Sequence, residues 1–185
     1  MKRTVHTFNS GVEHKGVAVD VETTVHIDEP FAELWAAWRF TPHPAKLTSE
    51  VVAFVCRAGG PPNNRSLRVN LHNDPRLTKR PFRGDHYRGT VNVWVSPYEG
   101  IPGWEEFRHY AGKPLLPAYR VRNPKEALVA CVAHETSHWL GIGRHPSEYW
   151  RNEQALDGTE FVCEIMGAVA LEVFCFPQNR RFREL

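Results

Sequence analysis

The sequence predicts a single α+β domain, and three observations carry that expectation. Residues 17–27 alternate between apolar and polar, residues 124–141 form an apolar helix with clear end signals, and residues 147–176 hold a helical region whose end is almost wholly apolar. Together they describe a mixed or antiparallel sheet upstream of one central helix, with a further helix at the C-terminal end. The 185 residues are enough for one domain with a sizeable core. Strands and a first helix are expected within about 17–96.

Val17, Val19, Val21, Thr23, Val25 and Ile27 point one way and Ala18, Asp20, Glu22, Thr24 and His26 the other, as in a strand with one wet face. Asp28 reads as an N-cap, with Pro30 in the first turn of a short amphipathic helix. That helix carries Phe31, Leu34, Trp35 and Trp38 and runs to about Phe40. Residues 50–57 and 66–71 read as two strands joined by the Gly- and Pro-rich turn 59–64. Residues 73–89 read as a basic loop, 90–95 alternate again as a strand, and 96–122 look irregular. Asn123-Pro124 opens the clearest helix: Asn suits the cap, Pro the first helical position, and Glu126 the positive end of the helix dipole. Gly141 and Gly143 end it. The last helical region invites a break at Asp157-Gly158.

Composition bounds the class. Hydrophobic residues make up 42% of the chain, ordinary for a globular protein. The longest apolar runs fall short of the ~20 residues a membrane span needs. Met1-Lys2-Arg3-Thr4 is followed by polar residues, so no signal peptide is read and a cytoplasmic location is expected. The four cysteines, Cys56, Cys131, Cys163 and Cys175, show no CxxC spacing and are expected as free thiols, mostly buried. The formal net charge of +2 hides an asymmetry. Residues 57–88 carry eight Lys/Arg against two Asp, and residues 13–50 carry seven acids against three bases. The basic stretch is a candidate nucleic-acid contact, although a solvated surface loop is the commoner use of such a run.

The chemistry sits inside the central helix. His134-Glu135-Thr136-Ser137-His138 places two imidazoles at i and i+4, on one helix face and aimed at one spot. Two neutral ring nitrogens suit zinc, one ion per chain. Glu135 lies about 100° around the helix from His134, so it misses the metal yet reaches a zinc-activated water as general base. A charged triplet in an apolar helix is costly to bury unless something satisfies it, and a metal does so.

Catalytic zinc takes three protein ligands, so one is missing from the helix. The candidates are Glu160, Glu164, Glu153 and His145. Glu160 is the first choice. Glu164 shares its helix face and can fix the tautomer of a liganding histidine if Glu160 binds the metal. Cys163 and Gly167 are small enough to let the two helices approach. Glu153 follows Asn152 in an NExxxD pattern, and His145 follows a glycine turn one residue later than an HExxHxxGxxH arrangement requires.

His134–His138 resembles the HExxH of the zincin metallopeptidases, and a downstream Glu resembles their gluzincin branch. There the third ligand is a Glu on the following helix, often with an acid four residues later. Glu160 and Glu164 match that pair 22 residues past His138, whereas the NExxxD wording at Glu153 falls 15 residues past it. A narrower similarity is to the metallopeptidase domain of antirestriction ArdC proteins and phage-type zincins, carried by His134-Glu135-Thr136-Ser137-His138-Trp139 and by the segment Glu160–Ala168. It covers the last third of the chain. The N-terminal part does not look like the ArdC single-strand-binding domain.

The resemblance implies a small zincin-like domain in which His134, His138 and Glu160 hold zinc and Glu135 is the base. It also implies an edge strand lining the cleft, for which residues 90–95 are the best candidate, with peptide bound by strand addition. Tyr110, Tyr119, Tyr149, His109 and His145 all stay open as stabilisers of the developing oxyanion. The expected activity is a zinc-dependent metallopeptidase acting on a peptide or protein substrate. A non-peptidase zinc protein and a nucleic-acid-associated zincin that docks through residues 57–88 are the alternatives.

Overall fold

The computed structural model of the chain describes residues 3–14, 17–28, 43–59, 65–98, 107–108, 120–121, 123–142 and 153–176. In chain order these form β1 (Arg3–His14), β2 (Val17–Asp28), α1 (Pro44–Gly59), β3 (Ser66–Asn73), β4 (Phe82–Tyr87) and β5 (Thr90–Val95). Two short strands follow, β6 (Phe107–Arg108) and β7 (Arg120–Val121), and then α2 (Pro124–Leu140) and α3 (Glu153–Cys175). This is a mixed α+β architecture, as the sequence predicts.

The main sheet runs β1-β2-β3-β5-β4, and β6 pairs β7 separately. β1 is antiparallel to β2, β2 and β5 both run parallel to β3, and β4 closes the sheet antiparallel to β5. Alternation sorts the side chains. Val21, Thr23 and Val25, then Leu67, Val69 and Leu71, then Val91, Val93 and Val95 all face inward and are buried. On the other face His26, His72 and Trp94 stack in a row, with centroids 4.4 and 5.3 Å apart, and the Arg83 guanidinium lies 5.1 Å over Trp94. Aromatic cross-strand neighbours of this kind stabilise the pairing.

Two expectations are corrected. Residues 50–57 are not a strand but the second half of α1. Leu47, Thr48, Val51, Val52, Val55 and Cys56 are buried at helical spacing, and this stripe outweighs the β preference of the three valines. Pro44 is the first residue of α1, where its missing N–H is harmless. The second correction matters more for function. Residues 82–87, expected within a loop, form β4, and it is β4, not 90–95, that makes the sheet edge. A two-residue turn joins β4 to β5, with Arg88 at φ 44° and Gly89 at φ 79°. Two positive φ values are what a tight hairpin matched to strand twist requires. The loop before β4 is pinned as well. Asp74 accepts from the Arg76 backbone N–H and guanidinium, each at 2.9 Å, and Ser96 Oγ donates to Leu77 O at 2.7 Å.

α2 is the centre of the domain. It packs on β4 and β5, on α1 and on α3. Residues 127–138 are buried without a break. Asn123 Oδ1 accepts from the Glu126 N–H at 3.0 Å, and Pro124 takes the first position. Gly141 turns left-handed at φ 68°, while the Gly141 and Ile142 N–H groups cap the carbonyls of His138 and Ser137. α3 is continuous through Asp157-Gly158. The amphipathic helix expected at 28–40 lies outside the described residues from 29 onward. Among the described residues no helix is long and apolar enough to cross a membrane. None of the four cysteines is in a disulfide: Cys56, Cys131 and Cys163 are buried and Cys175 is half-buried.

Candidate metal centre

The HExxH helix faces α3 on one side and the edge strand on the other. His134 and His138, one turn apart, bring their Nε2 atoms to 3.0 Å. Glu160 reaches across from α3, with Oε2 at 3.3 Å from His134 Nε2 and Oε1 at 2.9 Å from His138 Nε2. These three side chains converge closely enough to hold a metal ion. Donors bound tetrahedrally at 2.0–2.1 Å stand roughly 3.3 Å from one another, so the separations in this cluster suit a small divalent cation.

The local field favours positive charge at that point. Burial works against protonation of His134. The hydrogen bond to Glu160 and the charges of Glu164, Glu135 and Glu160 outweigh it and raise the pKa above the usual histidine value. Hydrogen bonds from His134 and then His138 hold the Glu160 carboxyl well below the usual range, against a smaller desolvation effect. Donors set in so negative a field are also suited to a cation.

Glu164, one turn beyond Glu160, is fully buried, and its Oε1 lies 3.4 Å from His134 Nδ1. A carboxylate at that place is suited to accept a proton from Nδ1, the arrangement that would turn the Nε2 lone pair toward the cluster. The small residues Cys163 and Gly167 are buried beside it on α3, which lets the two helices close up.

Glu135 is not among the converging donors. It faces the edge strand instead. Its Oε2 is 3.4 Å from His86 Nδ1 of β4, and the His86 ring stacks on His138 with centroids 4.7 Å apart and planes within 6°. Two residues back, a Cβ on Gly84 would meet Glu135 Oε1 at 2.5 Å and Cys131 Sγ at 2.6 Å. Only a residue without a side chain lets β4 lie this close to α2. Burial, then the charges of Glu135, Glu164 and Asp85, push the Cys131 thiol far up, so it stays protonated. His134, His138, Glu135 and Glu160 line a cleft of about 430 Å³, with Arg80 and Phe82–His86 lining one side.

The structure thus brings together His134, His138 and Glu160, sets Glu164 behind His134 and places Glu135 on the opposite flank. Glu153 is the first residue of α3, but its side chain lies outside the described ones. His145, Tyr110, Tyr119, Tyr149 and His109 also lie outside them. Gly84 and His86 escape the sequence reading. The signal that would have found them is Phe82-x-Gly84-x-His86, three alternate positions ahead of an Arg-Gly turn, which makes a strand of the supposed loop.

A scan against protein-family models finds no match, and no curated protein matches the chain.

Proposed function

We propose that this protein is a zinc-dependent metallopeptidase of the zincin type, with His134, His138 and Glu160 as ligands and Glu135 as general base. The observation that carries the reading is the convergence of two imidazoles and one carboxylate in a cleft that a second carboxylate enters from the side. Two nitrogens and one oxygen form the donor set of catalytic zinc, with a position left open, whereas calcium and magnesium prefer oxygen throughout. A purely structural zinc is closed by four protein ligands and has no need of Glu135. Zinc bound there would supply Lewis acidity to a substrate carbonyl and to water.

The chain's own groups do the rest. Glu135 takes a proton from the attacking water and returns it to the departing amine, which its side-on placement favours. Glu164 keeps His134 in the tautomer that leaves Nε2 unprotonated. β4, at the edge of the sheet beside the cleft, is where an extended peptide would pair.

The basic stretch 57–88 gives the nucleic-acid alternative less support than its charge alone suggests. Arg68 faces Glu22, Arg76 is held by Asp74, Arg83 lies over Trp94 and Arg88 over Tyr87. Metal analysis combined with a quenched-fluorescence peptide library tests the proposal. One zinc per chain and peptide turnover that chelation abolishes are expected. A protein that takes up no zinc, or cleaves equally well without it, refutes the reading. Iron in place of zinc would move the two-His-one-carboxylate set to redox chemistry and also refute it.

A further inference from the structure

We infer that His86 is a positioning residue: it holds the carboxylate of Glu135 from the edge strand, so that β4 is a working part of the site as well as its wall. The inference rests on the proposed role of Glu135 as base and assigns a residue that the HExxH helix does not contain.

Three observations converge on it. First, His86 and Glu135 face each other across the cleft with Nδ1 and Oε2 at 3.4 Å. A carboxylate only accepts, so the ring must carry its proton on Nδ1 to bond there. Second, the ring is itself held in orientation. It lies flat against His138, with planes within 6°, and the side chain is one-third exposed. A flat stack keeps the in-plane N–H out of the ring of His138 and free to turn to a neighbour at the ring edge. Third, the strand is fitted to this approach. Gly84 shares the inward face of β4 with His86, and the space a Cβ would need is taken by Glu135 Oε1 and Cγ. Gly84 therefore limits where one carboxylate oxygen sits, and His86 stands beside the other. A glutamate on a helix otherwise keeps several rotamers, and a general base works only when it stays within hydrogen-bond reach of the proton it takes.

If His86 merely filled space against His138, a phenyl ring would serve as well. The variant His86→Phe keeps the stack and removes the donor, and Phe suits an edge strand. His86→Asn returns an amide N–H near the position of Nδ1. The probe is acetohydroxamate, a chelating acid whose proton needs an acceptor beside the metal. Its binding is followed through the visible absorption of cobalt-substituted protein, which requires no substrate. His86→Phe is expected to weaken acetohydroxamate about tenfold at unchanged cobalt content, the scale of an outer partner of a metal site, with most of the loss recovered in His86→Asn. Glu135→Gln should weaken it as well. In the Glu135→Gln background, His86→Phe should have no further effect, because the donor would act only through that carboxylate. Equal losses from His86→Phe in both backgrounds, or no loss in either, overturn the inference while leaving the metal centre intact. Wild-type protein that binds neither cobalt nor zinc overturns the functional reading and this inference together.

Discussion

Replacing Gly84 by alanine adds one carbon at the tightest contact between the sheet edge and the HExxH helix. That carbon would lie 2.5 Å from Glu135 Oε1 and 2.6 Å from both Glu135 Cγ and Cys131 Sγ. Comfortable contact is about 3.5–4.0 Å, so three atoms overlap by roughly 1 Å each. Two belong to the proposed base, and the third is a buried thiol. β4 must lift away or Glu135 must swing out. Overpacking of this kind costs about 1–3 kcal/mol. In open space, Gly→Ala in a strand would instead gain about 0.5–1 kcal/mol. The expected balance is a loss of about 1–2 kcal/mol, which lowers the Tm of a domain this size by about 2–8 °C. The three atoms nearest the added carbon belong to none of the converging donors, so zinc content should stay at the wild-type level while peptide turnover falls more than about tenfold. Thermal denaturation, metal analysis and turnover on one preparation check this. A Gly84→Ala protein at least as stable as wild type, with turnover unchanged, would refute the close approach of β4 and the role given to it.

Other outcomes follow from the same geometry. Glu135→Gln keeps volume and fold and should retain zinc, with turnover down at least ~100-fold; loss of zinc equal to that of His134→Ala would make Glu135 a ligand or a structural support. Glu160→Gln should weaken zinc more than Glu153→Gln or His145→Ala in a competition with a chromogenic chelator, and stripping of the metal by Glu153→Gln would reassign the third ligand. Glu164→Gln should weaken zinc by about 10–100-fold through His134, and unchanged affinity would sink the tautomer argument. The pH dependence of stability should change sign with the metal. In chelated protein the raised His134 pKa contributes stability that is complete below its unfolded value of 6.5 and lost as pH rises through the folded one. The depressed Glu160 pKa contributes stability present above its unfolded value of 4.5 and lost on acidification. Chelated protein should therefore melt at a higher temperature at about pH 5.5 than at about pH 8. Zinc-loaded protein should do the reverse, because its ligands must be deprotonated; parallel slopes in the two forms would contradict the ligand set.

What could be read ahead of the structure was whatever the chain encodes locally. The cap at Asn123, Pro124 and the left-handed Gly141 mark α2 residue by residue, and i, i+4 spacing puts two imidazoles on one face. Glu160 and Glu164 were legible as a pair for the same reason, one turn apart on the next helix. The edge strand was not. β4 alternates Phe82, Gly84 and His86 with Arg83, Asp85 and Tyr87, so its charges read as a loop and its glycine as a break. That glycine is needed because a helix 47 residues further on comes to lie against it, at Cys131. Spacing within a segment cannot report such a contact. α1 failed differently. Its valines favour strand one by one, and only their helical stripe, completed by Leu47 and Cys56, decides the matter.

In the five-stranded sheet, β3 alone has parallel neighbours on both sides. Antiparallel pairs adjacent in sequence, β1 with β2 and β4 with β5, can zip from their own turns. β3 has to be threaded between two finished ribbons, with Ser66–His72 against Asp20–His26 of β2 and Arg68–Asn73 against Thr90–Val95 of β5. Within the sheet, the ribbon that holds Gly84 and His86 is sewn to the first part of the chain along that one seam. Closing it spends loop entropy before any contact is won, and this makes the placement of β3 the step expected to set the pace of refolding.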